Sequence, residues 1–294
     1  HFLTTKQMKY NFMKTNKNNF PIERMAEILE VSKSGYYSWI DRPESDRKIR
    51  NYSILKKIKE IHEKSNRNYG SERIHSSLVD EGLKCNVKTV SKIMKDNGIR
   101  AKTKRKFKHT TDSNHSNPVF ENILNRQFDV KEKDKVWVSD ITYIHTEEGW
   151  LYLCVVIDLF SRKVVGWSMG GRISADLVIK AFNMAWNNRN PKTNIIFHSD
   201  RGSQYTSKAF QKVLKDKKIV ICSMSRKGNC WDNACAESFF HTLKTEEVNH
   251  DIYLTKEIAK IKIFEYIECY YNNYRKHSHL GLLNPNEFEK QKSA

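Results

Sequence analysis

Asp140 and Asp200 both fall where strands are expected, and a charged carboxylate in a sheet is costly unless something positive meets it. Asp140 sits among Val138, Ile141 and Ile144, and Asp200 directly follows Ile195-Ile196-Phe197-His198-Ser199. Carboxylates gathered together raise one another's pKa until a cation neutralises them. A divalent metal answers that electrostatic problem and also supplies a chemistry. A third acid, Glu237, lies in a stretch that reads as a helix over 233–248. In helical steps Asn233, Glu237, His241 and Lys244 form one polar stripe, with Ala236, Phe240 and Leu243 on the packing face. Glu237 is therefore expected to face the metals, and Lys244, two turns on, to reach a phosphate.

Ligands that are all hard oxygens suit magnesium or manganese rather than zinc. Two such ions about 3.5–4 Å apart activate the attacking oxygen and stabilise the leaving oxygen in phosphodiester chemistry. Asp158, at the end of the second expected strand before Ser161-Arg162, rivals Glu237 for the third place. Its plainer reading is a turn or cap. Any one of these acids taken alone is more often merely solvated; the argument rests on the set.

The elements that must carry these acids read as a mixed α/β domain. Val136–Ile144 alternates, with Trp137, Ile141 and Tyr143 on one face and Val138, Asp140 and Thr142 on the other. Residues 150–160 form a near-continuous apolar run, as in a strand buried on both sides, and 163–169 a third strand. A helix over 174–188, a strand over 194–198, a helix over 207–217 and a strand over 219–224 follow. Three hairpin-connected strands and then alternating helices and strands make a mixed α/β domain.

The front of the chain is different. Residues 20–40 read as two short helices and a turn, with Ile22, Met25, Ala26 and Leu29 on one face and Ser32 as N-cap of the second helix. That is helix-turn-helix geometry, whose second helix can lie in a major groove. An amphipathic helix over 47–64 is expected to bury Ile49, Tyr52, Leu55, Ile58 and Ile61. A second helical hairpin follows and runs into Lys102, Lys104, Arg105, Lys106 and Lys108, a basic tail suited to gripping phosphates or to serving as a solvated linker. The expected organisation is 1–45 helix-turn-helix, 46–110 second helical region with its basic tail, 111–132 linker, 133–250 catalytic core and 251–294 helical extension.

Charge supports a polyanionic partner. The net charge is +18, of which residues 1–118 contribute +13 and residues 119–294 contribute +5. Front-loaded positive charge releases counterions on binding nucleic acid, although charge alone leaves membrane surfaces open. No stretch reaches the roughly 18–20 apolar residues of a membrane span, and no signal peptide is visible. The six cysteines lack a Cys-x-x-Cys pair, so they read as reduced core residues of a cytoplasmic protein rather than a zinc site or disulfide framework. The first residue is His1, as expected of a fragment or an unusual start, with Met8 as an alternative start.

Longer blocks carry a family resemblance. His-Ser-Asp-Arg-Gly-Ser-Gln-Tyr-Thr-Ser (198–207) and Ser-Met-Ser-Arg-Lys-Gly-Asn-Cys-Trp-Asp-Asn-Ala-Cys-Ala-Glu-Ser-Phe-Phe (223–240) resemble the catalytic blocks of OrfB-type transposases. These form the bacterial insertion-sequence family numbered three, relatives of retroviral integrases. Val-Trp-Val-Ser-Asp-Ile-Thr-Tyr-Ile (136–144), Tyr-Asn-Asn-Tyr-Arg-Lys-His-Ser-His-Leu-Gly (271–281) and Asn-Pro-Asn-Glu-Phe-Glu (284–289) resemble its first-acid strand and C-terminal signature. The N-terminal Phe-Pro-Ile-Glu-Arg-Met and Ser-Gly-Tyr-Tyr-Ser-Trp are similar as well, so the resemblance runs in order along nearly the whole chain.

The resemblance implies a ribonuclease H-like catalytic domain preceded by an all-α helix-turn-helix region. It places an Asp-Asp-Glu triad on Asp140, Asp200 and Glu237 and a basic DNA contact on Lys244. It implies cleavage and strand transfer at terminal inverted repeats, joining to target DNA, a homo-oligomer on double-stranded DNA, and a site in the bacterial cytoplasm at the nucleoid. It also raises an upstream reading frame as a supplier of part of the DNA-binding machinery. One departure stands out: thirty-six residues separate Asp200 from Glu237, one more than the family's usual spacing. The extra residue is expected near 217–222 as a one-residue bulge.

Further expectations attach to single residues. Arg226 and Lys227 beside Gly228 could hold a DNA phosphate from a mobile loop, or be solvated. His198 could orient the site or be a satisfied structural histidine, and Asn233 is read as a supporting residue. Two alternative functions stay open at this point: a nuclease of the same fold without strand transfer, and an inactive DNA-binding regulator.

Overall fold

The computed structural model describes residues 5–102, 119–226 and 229–292. The chain divides into two compact units, His1–Lys56 and Lys57–Ala294.

The first unit holds α1 (Lys6–Asn16), α2 (Ile22–Ile28) and α3 (Lys33–Ile40). Ser32 caps α3 as expected, accepting from Gly35 N at 3.2 Å. Met13, Met25, Ala26 and Tyr36 form the core, with Ile22, Leu29 and Trp39 packed against it. The preceding helix α1, which the pattern reading did not predict, supplies Tyr10 and Met13 to that core. It approaches α3 so closely that a Cβ at Gly35 would meet Tyr10 Oη at 2.5 Å. The long α4 (Asp46–Lys64) runs across Lys56. Ile58 and Ile61 of the expected stripe are buried, whereas Ile49 and Tyr52 are exposed at 55% and 73%, and Ile54, outside that stripe, is buried as well.

In the second unit α5 (Ser71–Asp80) and α6 (Val87–Asp96) form the expected hairpin, burying Ile74, Leu78, Val90, Ile93 and Met94. The turn between them uses Gly82 at φ 80, a conformation that glycine adopts without steric cost. The sheet follows as β1 (Val136–Thr146), β2 (Gly149–Asp158), β3 (Val164–Gly170), β4 (Ile195–Ser199) and β5 (Val220–Met224). Its spatial order is β3-β2-β1-β4-β5. The first three strands pair antiparallel, β4 joins β1 in parallel, and β5 joins β4 in parallel.

Between β3 and β4 runs α7 (Ala175–Arg189), with Ser174 as N-cap. Between β4 and β5 lie α8 (Ser203–Thr206) and α9 (Lys208–Asp216). Leu177, Val178, Ala181, Phe182, Phe210 and Leu214 from these helices meet Trp137, Cys154, Val156 and Phe197 in the main core. At Gly166 a Cβ would strike Ala181 O at 2.3 Å, so glycine lets β3 close on α7.

Beside β1 lies α10 (Ala234–Glu246), with Ala236, Phe240 and Leu243 buried as the stripe predicted, and Phe239 buried with them. The C-terminal part is α11 (Lys256–Phe264), a π-helical turn over Glu265–Tyr271 and α12 (Pro285–Lys292). Tyr270 and Tyr271 belong to the core.

From residue 119 on, the segment read as a linker is packed. Phe120 joins the main core, Leu124 is buried, and the backbone N–H groups of Ile123 and Leu124 donate to Ser223 Oγ. Residues 103–118, and with them Lys104, Arg105, Lys106 and Lys108, lie outside the described residues, as does Lys227.

Candidate active site

The two aspartates are aligned by the parallel pairing of β1 and β4. Val138 pairs with His198, so Asp140 and Asp200 each stand two residues further along neighbouring strands. Adjacent strands lie about 4.8 Å apart, which brings the two acids side by side. The Asp140 carboxylate accepts from Ile141 N at 2.8 Å, and Asp200 accepts from Gly202 N at 2.9 Å. Both are half-buried.

Burial pushes the Asp140 carboxyl well above its usual range, and the Asp200 and Glu237 charges push it further. The Ile141 N–H and the Lys244 ammonium oppose that shift without cancelling it. Glu237 and Lys244 on α10 thus both act on Asp140 electrostatically, as their shared stripe requires. The Lys244 Nζ lies over the Tyr143 ring, 4.8 Å from its centroid, and burial lowers its pKa. Asn233 ties the start of α10 to β1, donating from Nδ2 to Ser139 O at 3.1 Å, next to Asp140.

The donors are oxygens only, and a half-buried carboxyl held above its normal range gains when a divalent cation joins the group. The donor chemistry therefore fits magnesium or manganese. Among the described residues no three of His, Cys, Asp and Glu form a ready-made metal cage.

Asp158 is a cap, not a member of the group. It is fully buried beside Trp137 at the far end of β2. It accepts from Asp134 N at 2.8 Å, Phe160 N at 2.9 Å and Arg189 Nη2 at 3.2 Å. His198 is buried and partnered at both ring nitrogens: Nδ1 lies 2.9 Å from Ser223 Oγ and Nε2 lies 3.1 Å from Ser225 Oγ. Ser223 Oγ already accepts from two backbone N–H groups, so its own proton goes to Nδ1 and leaves Nε2 as the donor. Burial lowers the His198 pKa to about 4, so the ring is neutral near pH 7.

Two of the basic residues read as DNA contacts have partners within the chain. Arg226 pairs with Asp232, with Nε at 2.9 Å and Nη2 at 2.7 Å, and its side chain stays half-exposed. Lys102 donates to Glu246 O at 2.8 Å, at the end of α10. Of the stretch 217–222 where an extra residue was expected, the part in β5 pairs in regular register from Val220. Lys218, just before the strand, has φ 53.

The pattern reading missed a candidate phosphate-binding face. Lys88, Lys92 and Lys95 are exposed on α6 at i, i+4 and i+7. That spacing was legible in the sequence as one helical face.

Known proteins resemble this chain along most of its length. Models described as integrase core domain match residues 130–230 and 237–292, and one described as HTH-like domain matches residues 50–107. Transposase InsF for insertion sequence IS3A, from Escherichia coli (strain K12), is 42% identical over 290 residues, covering 98% of this chain and 100% of that protein. The chain belongs to the IS3 family of transposases. Another relative of this transposase is the insertion element IS600 uncharacterized 31 kDa protein of Shigella sonnei, 40% identical over 91% of the chain and 98% of that protein. Among solved structures, a chain of the simian T-cell lymphotropic virus intasome in complex with PP2A regulatory subunit B56 gamma is 14% identical, with a TM-score of 0.46, over 79% of this chain and 73% of that chain. The IS3-family transposase thus joins a helix-turn-helix-like region to an integrase-type core and is a DNA transposase. Among the described residues no helix is long and apolar enough to cross a membrane.

Proposed function

We propose that this transposase cuts the strand at each end of its own element to expose a 3′-hydroxyl, then joins that hydroxyl to a phosphodiester of target DNA. Asp140, Asp200 and Glu237 hold divalent cations, magnesium or manganese and two in number. The observation that carries this reading is the equal offset of Asp140 and Asp200 beyond the Val138–His198 pair, with Glu237 and Lys244 acting on Asp140 from α10. When bound, such ions would activate the attacking oxygen and stabilise the leaving one.

The protein's own residues position the substrate. Lys244, steadied over Tyr143, offers an ammonium to the phosphate beside the acids. Asn233 fixes the start of α10 against the strand that carries Asp140. Lys88, Lys92 and Lys95 give α6 a basic face for the duplex of the terminal inverted repeats. Two ends and a target must be held at once, so the working form is a homo-oligomer on DNA, at the nucleoid in the bacterial cytoplasm.

The test is incubation of the full chain and Mg²⁺ with a labelled duplex carrying the end of the element that encodes it. Strand-transfer products support the proposal. Cleavage without joining would instead indicate a nuclease, and binding without cleavage a regulator.

A further inference from the structure

Glu246, the last residue of α10, is almost fully buried, and its carboxylate accepts from three side chains. Arg275 grips both its oxygens, with Nε at 3.0 and 2.8 Å and Nη2 at 2.8 Å. Tyr266 Oη donates at 2.9 Å, and Arg73 Nη1 reaches it from α5 at 3.3 Å. Its backbone carbonyl accepts from Lys102 Nζ at 2.8 Å. One residue thus gathers the helical hairpin, the catalytic helix and the C-terminal segment.

Neighbouring contacts brace the same junction. Tyr69 Oη donates to Tyr274 O at 2.8 Å and accepts from Lys276 N at 3.0 Å. Lys276 Nζ reaches Ser76 Oγ at 2.9 Å and pairs with Asp80, both on α5. The segment 271–276, part of the block that resembled a C-terminal signature, serves as a strap across α5 and α10.

The two ends of this connection do different work. On one side, α5 packs against α6 through Ile74, Leu78, Val90, Ile93 and Met94, and α6 exposes Lys88, Lys92 and Lys95. On the other, Glu246 is nine residues beyond Glu237 on one continuous helix, about 13.5 Å along its axis. A rigid path therefore runs from the basic face of the hairpin to the acids.

We propose that the Arg73–Glu246–Arg275 junction sets the distance between the DNA-reading hairpin and the catalytic acids, and so selects which phosphodiester is cut relative to the bound sequence. Arg73 and Glu246 are specificity-determining positioning residues that touch no reacting atom. The inference rests on the proposed end cleavage. It adds that cleavage position is fixed by this contact and not by the acids alone. A buried ion pair broken on one side destabilises strongly, so Glu246→Gln endangers the fold. Arg73→Ala, which removes the less buried partner and leaves Arg275 on Glu246, is the sharper variant.

The experiment maps cleavage at nucleotide resolution on a labelled duplex carrying the element's end, using the full chain with Mg²⁺. Wild type is expected to cut one phosphodiester. Arg73→Ala is expected to bind the duplex and spread its cuts to adjacent phosphodiesters, lowering positional selectivity about tenfold. Arg73→Lys, which keeps the charge on a shorter reach, restores part of that selectivity. Arg73→Ala cutting only the wild-type position, at whatever rate, would overturn the inference and leave the function intact. A wild-type chain that cuts no end DNA would overturn both.

Discussion

Asp140 and Asp200 stand at the same offset on neighbouring parallel strands, each two residues beyond the Val138–His198 pair. That alignment forces two carboxylates together, and burial with the Asp200 and Glu237 charges pushes Asp140 up. Asp140→Asn removes one negative charge from the group. In EDTA it is expected to be at least as stable as wild type, and magnesium should raise the wild-type Tm but not the variant's. Thermal melts with and without Mg²⁺ check this. Equal stabilisation of both proteins by magnesium would count against Asp140 as a ligand.

Lys244 is the described cation that acts directly on Asp140. If it contacts one phosphate, Lys244→Ala weakens binding to all duplex sequences alike and lowers the slope of log K against log salt by about 1. Filter binding of element-end and unrelated duplexes across a salt series gives that slope. An unchanged slope would mean that Lys244 serves the fold through Tyr143 and not the DNA.

Asp158 is predicted to matter for stability and not for metal binding. Asp158→Asn keeps the shape but disturbs the contacts to Asp134 N, Phe160 N and Arg189, at a cost of about 1–3 kcal/mol. Burial pushes the Asp158 carboxyl up to about 7. A carboxyl raised in the folded state lends stability that is full below its unfolded pKa, near 4, and is lost as pH rises through about 7. The cost of the substitution should therefore be larger at pH 4 than at pH 8. Urea unfolding at both pH values measures it, and the opposite trend would show that Asp158 is held ionised by Arg189.

How much of this was legible in the sequence depended on whether the deciding partner was near in the chain. The acids could be placed because strand alternation and helical spacing are local, and the α10 stripe came out as read, with Ala236, Phe240 and Leu243 buried. Ser32 as the cap of α3 is local too. Periodicity misled where burial depends on distant packing, so Ile49 and Tyr52 fit an apolar stripe yet face solvent. It also gave no sign of α1, whose Tyr10 and Met13 matter only once they meet Tyr36.

The partners of basic side chains were not legible. A basic side chain in a loop gives no sign of what it meets, and Arg226 finds Asp232 while Lys102 finds the backbone carbonyl of Glu246. The pairing of Glu246 with Arg275 spans 29 positions and leaves no periodic trace. The C-terminal block was visible as a signature, but its role as a strap was not.

The central claim is that Glu237 completes the acids at which strands are cut and joined. It is tested most directly by comparing wild type with Glu237→Gln on labelled element-end DNA in Mg²⁺, with binding measured in parallel. The account predicts unchanged binding and a loss of cleaved and joined products by about 10³-fold or more. Glu237→Gln joining ends at near the wild-type rate would contradict it.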